Sequence, residues 1–281
     1  MFFPSPWVSA DMDTVTLGPA GTYSHRAASA VSAGDVSFME SVRDIVDAVA
    51  VGDADRGVVP IENSIQGSVT ETLDALADTD GLAVVREVVT PIRHALLAQD
   101  DGFDAVASHA QALAQCREYL DATHPAVDRR AVASTARGVE VARNDETTAA
   151  IAHPDSADGT ELDVHGSGIQ DRASNETRFF VVGPASERTP AGGKSSIIVY
   201  PNANHPGLLL ELLEPFADRN INLSRVESRP SGERLGDYVF HVDIASGCYE
   251  ERTRNAVADV AEIAAAGWVR RLGSYDTEHV A

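Results

Sequence analysis

The chain has 281 residues, 43% hydrophobic and 23% charged, which at roughly 100–200 residues per domain suggests two domains, or one with an appendage. Its apolar content argues against a disordered or fibrous chain, and no apolar run reaches the ~20 residues that span a bilayer. Asp and Glu total 43 against 22 Lys and Arg, a net charge of −21. Such a surface repels phosphate backbones and anionic lipid, so nucleic acid and membrane are poor partners.

Lys194 is the only lysine; every other strong base is arginine. Acid excess with lysine nearly eliminated fits a halophilic protein working in molar salt, although a high-GC genome also favours Arg over Lys. Cys116 and Cys248 form no disulfide framework and no CxxC pair, and read as small core hydrophobes in a reducing, cytoplasmic compartment. Residues 1–10 (MFFPSPWVSA) lack the pattern of a signal peptide. Residues 1–11 are either a disordered tail or lie upstream of a start at Met12.

In chain order, Val15–Leu17 is a strand and Ser24–Ala33 a helix. Ser41–Gly52 is helical by the spacing of Val42, Ile45, Val46 and Val49. A strand at Arg56–Pro60 and a helix at Val69–Ala77 follow. Strands are expected at Leu82–Thr90, His94–Ala98 and Ala105–Ser108, then a helix over Ala110–Leu120. A strand near Arg130–Ala133 precedes helices at Thr135–Arg143 and Glu146–Ile151, and Thr177–Val182 is a last strand. This alternation reads as an α/β domain with a mainly parallel sheet. Turn formers at 184–194 mark a linker. Beyond it come a strand (Ser195–Pro201), a helix (Gly207–Asp218), two strands (Asn222–Pro230, Asp237–Ile244), a helix (Tyr249–Ala265) and a strand (Trp268–Gly273). That is the βαββαβ, ferredoxin-like order.

Several junctions carry polar groups. Gly18-Pro-Ala-Gly-Thr-Tyr-Ser-His25 opens a helix and offers amides to an anion, or is a tight turn with Ser24 as N-cap. Glu62, Asn63 and Ser64 end a strand, and Gly67-Ser68 then begins a helix as a second anion site; turn chemistry explains Asn63 and Ser64 equally well. Ser108, Gln115 and Thr135 stand at further junctions, ordinary caps by default. Arg178 suits a bidentate carboxylate clamp with Thr177 beside it, or is a solvated strand residue. The nine histidines show no ligand spacing and read as surface or core residues, His25 being the one to watch. A site of this kind binds a small anion without metal or cofactor. In the second domain, Asn204-His-Pro-Gly207 and Glu227-Ser-Arg-Pro230 lie near one edge of the fold and suit an amino-acid effector.

Taken together, LGPAGTYSHRAA (17–28), GVVPIENSIQGSVTETLD (57–74), SHAQALAQC (108–116), STARG (134–138) and NETRFFVVG (175–183), followed by NHPG (204–207) and ESRP (227–230), resemble the prephenate dehydratases with a C-terminal ACT domain. The resemblance spans Thr14 to Tyr275. Tyr23 stands where the family commonly has Phe, and Leu208 where the effector loop commonly has Ala.

The resemblance implies a two-lobed catalytic domain like the periplasmic binding proteins over 14–184, with lobe 1 at 14–90 and 168–184 and lobe 2 at 91–167. A linker at 185–194, an ACT domain at 195–275 and an extension at 1–13 complete the expectation. It implies conversion of prephenate to phenylpyruvate with loss of water and carbon dioxide, control by L-phenylalanine, and a dimer or tetramer. Thr177 would serve the leaving hydroxyl; since a threonine hydroxyl is a very weak acid, Glu62 is a second proton source. Thr22, Ser24, Asn63, Ser64, Gly67, Ser68, Ser108, Gln115, Thr135, Arg178 and Phe179 would bind substrate. Asn204, His205, Pro206, Gly207, Leu208, Leu209, Glu227, Ser228, Arg229 and Pro230 would bind the effector. Arogenate dehydratase is the nearest alternative, and a non-catalytic small-anion or amino-acid sensor the alternative of another class.

Overall fold

The computed structural model describes residues 12–280; the expectation for residues 1–11 falls outside the described residues. The chain begins with β1 (Thr14–Leu17), α1 (Tyr23–Val31), β2 (Val36–Met39), α2 (Val42–Val51), β3 (Arg56–Asn63), β4 (Gly67–Ser68), α3 (Thr70–Asp78) and β5 (Leu82–Pro91). It continues through β6 (Ala95–Ala98), β7 (Ala105–His109), α4 (Ala110–Gln115), α5 (Arg117–Thr123), β8 (Asp128–Val132), α6 (Thr135–Asn144), β9 (Thr148–Ala152), β10 (Asp163–Ser167) and β11 (Glu176–Pro184). The C-terminal part holds β12 (Lys194–Tyr200), α7 (Leu208–Ala217), β13 (Leu223–Pro230), β14 (Tyr238–Ile244), α8 (Glu251–Ile263), β15 (Trp268–Tyr275) and β16 (Thr277–His279).

Local chemistry sets many boundaries. The Ser41 hydroxyl accepts from the Asp44 amide at the start of α2, and Gly52 ends it in the left-handed conformation at φ 86°. Three expectations are corrected. Residues 146–151 were expected as a helix, but β9 lies there with all five residues buried; pairing with β6 and β7 overrides the helical preference of its alanines. Gly67-Ser68 does not begin a helix: it folds back as β4 against Glu62 and Asn63, and α3 starts only at Thr70. The helix expected over 110–120 is two, broken at Cys116. Strands β2, β10 and β16 add to what the pattern predicts.

Two compact units result. One comprises residues 12–17, Ala27–Val89 and Arg178–Val280; the other comprises Gly18–Arg26 and Thr90–Thr177. Residues 18–26 and 168–177 therefore group with the second unit. Its sheet runs β10-β6-β9-β7-β8, and α6 packs on it at Gly138, where an added Cβ would lie 2.5 Å from the Ala107 carbonyl oxygen.

The first unit holds two sheets. One runs β16-β5-β11-β3-β1-β2 with β4 beside β3; the other, β13-β14-β12-β15, is the ferredoxin-like sheet. One face of the latter packs Ile197, Val199, Phe240 and Val242 on α7 and α8. Its other face is not solvated: Ile198, Tyr200, Val239, Leu272 and Tyr275 join the core of the first sheet. After β15 the chain returns as β16, parallel to β5.

Charge is buried at this junction. Glu87 on β5 and Asp243 on β14 are 0% and 2% exposed. Arg178 Nη1 donates to Glu87 Oε2 at 2.7 Å, and Nη2 donates to Asp243 Oδ2 at 2.6 Å. Lys194 and Thr277 donate to the other Glu87 oxygen at 2.6 and 2.7 Å. Arg225 and Ser196 complete the shell of Asp243 at 2.8 and 2.6 Å. Burial pushes the Asp243 carboxyl up, but the Arg225 and Arg178 guanidiniums outweigh it and hold the group at about 2. Glu87 is likewise lowered, burial being outweighed by Lys194, Thr277 and Arg178.

Two predictions follow from this packing. Gly138→Ala forces a methyl into the Ala107 carbonyl and should cost about 1–3 kcal/mol in a urea titration. Because the native Asp243 carboxyl sits below its ordinary ~3.9, its stabilisation is complete above about pH 4 and is lost as pH falls towards 2. The gap in Tm between wild type and Asp243→Asn should therefore narrow between pH 4 and 2.

Candidate functional site

In the second unit, the polar groups converge at the ends of β6, β7 and the segment before β11. Ser108, the penultimate residue of β7, is fully buried, and its hydroxyl donates to the Ile151 carbonyl at 2.5 Å. Gln115, two turns along, accepts at Oε1 from Asn175 Nδ2 at 3.0 Å and faces His94 Nε2 at 3.0 Å. Its own Nε2 is buried with no hydrogen-bond partner among the described residues. An amide donor without an acceptor costs free energy inside a protein, so this atom favours binding of an acceptor. The Tyr23 hydroxyl donates to the Arg93 carbonyl, and its ring meets His94 and His153 edge-on.

These groups are neutral at pH 7. Burial lowers His94, and burial together with Arg26 lowers His153 to about 4. Burial raises the Tyr23 hydroxyl, and Cys116 is pushed up to about 12. The set can hydrogen-bond an oxygen of a ligand without itself exchanging a proton near neutrality.

The helix cap at this first turn is Thr22 rather than Ser24. Thr22 Oγ1 donates to the Pro19 carbonyl at 3.0 Å and accepts from the His25 amide at 3.3 Å, while Ser24 lies inside α1. His25 Nδ1 accepts from the Gly21 amide at 3.0 Å and so closes the turn. Thr135 begins α6 behind its cap, Ser134.

In the first unit, Asn63 Oδ1 accepts from the Ile65 and Gln66 amides at 3.1 and 3.2 Å, an Asx turn that shapes Ser64 through Gly67. Gly67 occupies the left-handed region at φ 83°. Ser68 donates to Glu227 at 3.0 Å. Arg178 departs from its expected role. Successive strand residues face opposite ways, so Thr177 and Arg178 do not share a face of β11. The guanidinium lies over Phe180 and is consumed by Glu87, Asp243 and, at 3.2 Å, Glu62. Nη1 and Nη2 are thus paired within the chain, while Nε is buried without a partner among the described residues. Phe179 is 1% exposed, an interior side chain.

The C-terminal domain has a cavity of about 250 Å³ lined by Asn204, His205, Gly207, Leu208, Leu209, Tyr238 and Phe240 among others. Gly207, at φ 93°, precedes α7, and Asn204 Nδ2 donates to the Gly236 carbonyl across the rim. Pro206 and the Glu227–Pro230 segment are not in its lining. Glu227 and Arg229 instead face the first sheet's elements: Arg229 makes a paired contact with Asp74 on α3 at 2.9 and 2.7 Å. Ser228 and Pro230 alternate to the other side of β13, opposite Phe240 and Tyr238.

Sequence reasoning missed His94, Asn175, Glu87 and Asp243. Asn175 stands inside the NETRF segment and was within reach. The buried carboxylates carry no motif, and only the lone Lys194 hints that one of them needs a partner.

Comparison with known proteins agrees with this architecture. The family model for prephenate dehydratase matches residues 14–187, and that for the ACT domain matches 197–247. Prephenate dehydratase of Methanocaldococcus jannaschii is 39% identical over 235 residues, 80% of this chain and 85% of that one. Arogenate dehydratase 3 of Arabidopsis thaliana is 34% identical over 295 residues, 97% of this chain and 69% of its own. The crystal structure of prephenate dehydratase from Arthrobacter aurescens in complex with L-Phe superposes with a TM-score of 0.84 at 34% identity, covering 94% of this chain and 90% of that one. With an α/β part of this topology followed by a βαββαβ domain, the chain belongs to the prephenate dehydratase family, the decarboxylating dehydratases.

Proposed function

We propose that the protein converts prephenate to phenylpyruvate and is controlled by L-phenylalanine bound to its C-terminal domain. Prephenate loses its ring hydroxyl and ring carboxylate. The C–O bond breaks with its electron pair on oxygen, a proton completes water, and the electrons of the breaking C–CO2 bond enter the ring as carbon dioxide leaves. Aromatisation drives the reaction, so the protein's work is orientation and help to the departing hydroxyl. The observation that carries this reading is the neutral, buried donor set around Gln115, whose free Nε2 suits a substrate oxygen.

Thr177, at the start of β11, is assigned to the leaving hydroxyl; Glu62, expected as a second proton source, stands as a carboxylate against Arg178 at 3.2 Å and would first have to take up a proton. Ser24, Asn63, Ser64, Ser108 and Thr135 are assigned to orienting the substrate. Arogenate, which differs by an amino group, is the second reading, supported by the similarity to the plant enzyme.

The effector's carboxylate suits the amides at Gly207 and Leu208, and its ring suits Tyr238 and Phe240. Exposed Leu209, Leu210 and Leu235 (44%, 70% and 103% exposed) support a homo-oligomer built through the C-terminal domain. The charge of −21 supports a salt-adapted enzyme whose acidic surface needs screening, and the free, buried Cys116 and Cys248 fit a reducing cytoplasm.

Thr177→Ala should cut kcat by about 10²–10⁴ with KM nearly unchanged; full turnover would remove Thr177 from the mechanism. Arg229→Ala, which frees Asp74, should abolish the response to phenylalanine while leaving prephenate turnover within about threefold. An unchanged response would separate β13 from control.

A further inference from the structure

We propose that Asp243 and Glu87 are positioning residues for the dehydratase reaction: they fix Arg178, and with it the β11 backbone next to Thr177, and Asp243 does so from the C-terminal domain. The proposal rests on the assignment of Thr177 made above.

Arg178 follows Thr177 directly in β11. Its guanidinium has three acidic partners, Glu62, Glu87 and Asp243, of which the last two are buried. Those carboxylates are held by other groups in turn. Glu87 accepts from Lys194, the chain's only lysine, at the entrance to β12, and from Thr277, just after β15. Asp243 accepts from Ser196 on β12 and Arg225 on β13. Three cations (Arg178, Lys194, Arg225) thus face three carboxylates. Arg178 Nε and Arg225 Nη1 stay buried without a partner among the described residues, but the paired contacts need every member in place, which favours one arrangement over intermediate ones.

The same strands reach the effector cavity. Asp243 lies three residues beyond Phe240 on β14, and Tyr238 and Phe240 line that cavity. Arg225 is the cross-strand neighbour of Asp243 on β13, the strand that also carries Glu227 and Arg229. A shift of β14 on effector binding changes what Arg178 meets, and a guanidinium also held by Glu62 and Glu87 passes that change towards β11. Glu62, in the segment expected to bind substrate, is held by the same guanidinium at 3.2 Å. The ACT domain therefore touches the catalytic strand through a charged contact rather than only through the 185–193 connection.

The test uses the full-length protein. Asp243→Asn keeps the size but removes the charge and one of the two acceptor oxygens. It should lower kcat for prephenate at least tenfold with KM within about threefold, keep phenylalanine binding by calorimetry within about threefold, and bring the ratio of activities with and without phenylalanine to near one. A folded variant with wild-type kcat and wild-type response overturns the proposal. Should Asp243→Asn fail to fold, Ser196→Ala and Thr277→Val retain every charge and should each lower kcat two- to fivefold; wild-type kcat in both would refute the role.

Hydrogen exchange of a peptide covering Glu176–Val182 gives a readout that does not depend on turnover. Phenylalanine should alter its exchange in the wild type and not in Asp243→Asn. An equal change in both proteins, or none in the wild type, also overturns the proposal. If Thr177→Ala retains turnover while Asp243→Asn loses it and blocks the exchange response, the assignment of Thr177 fails and the link through Arg178 stands.

Discussion

A guanidinium removed from water calls for charge and hydrogen bonds, and Arg178 sets that requirement in the first unit, with Nη1 and Nη2 paired and Nε buried without a partner among the described residues. Glu87 on β5 and Asp243 on β14 answer it, each buried and each with donors of its own. Losing one partner of such a set costs about 3–5 kcal/mol, because the remaining charges stay buried without compensation. The position of the C-terminal sheet on the first sheet is therefore specified by more than apolar contact. Ile198, Tyr200, Val239, Leu272 and Tyr275 supply the burial, and the ion cluster supplies the register.

Two populations of charge follow. Most of the acidic excess faces solvent, where salt screens repulsion and where pairs such as Arg137 with Glu140 contribute little. Glu87 and Asp243 in the Arg178 cluster lie beyond the reach of that screening, whereas Glu62 and Lys194 are partly exposed. High salt would act on the surface and leave the internal link intact, which is how one chain can combine an extreme net charge with a charged joint between domains. The neutral set around Gln115 is built on the opposite principle: burial keeps His94, His153 and Tyr23 uncharged, so the groups offer direction without competing for protons.

Much of this was legible in the sequence. The ferredoxin-like order, the caps of α2 and most strands of the α/β part follow from periodicity and turn chemistry. β9 did not, because a short run of buried alanines has no period to distinguish strand from helix. β14 reads as one apolar and one polar face, yet both faces are buried, since His241 and Asp243 turn towards the first sheet; alternation reports a difference between faces and not what covers each. The site was legible as a set of segments but not as geometry. Arg178 and Thr177 are neighbours in sequence and opposites on the strand, and Glu227 and Arg229 belong to a motif read as effector-binding yet reach Ser68 and Asp74. Those partners lie more than 150 residues away, where no spacing rule extends.

The most direct measurement follows phenylpyruvate from prephenate in concentrated KCl, with and without phenylalanine, and repeats the assay with arogenate. Product from prephenate whose rate changes with phenylalanine is the predicted result. A folded protein that binds phenylalanine yet yields no product from either substrate would contradict the account and leave a chain that only senses its ligand.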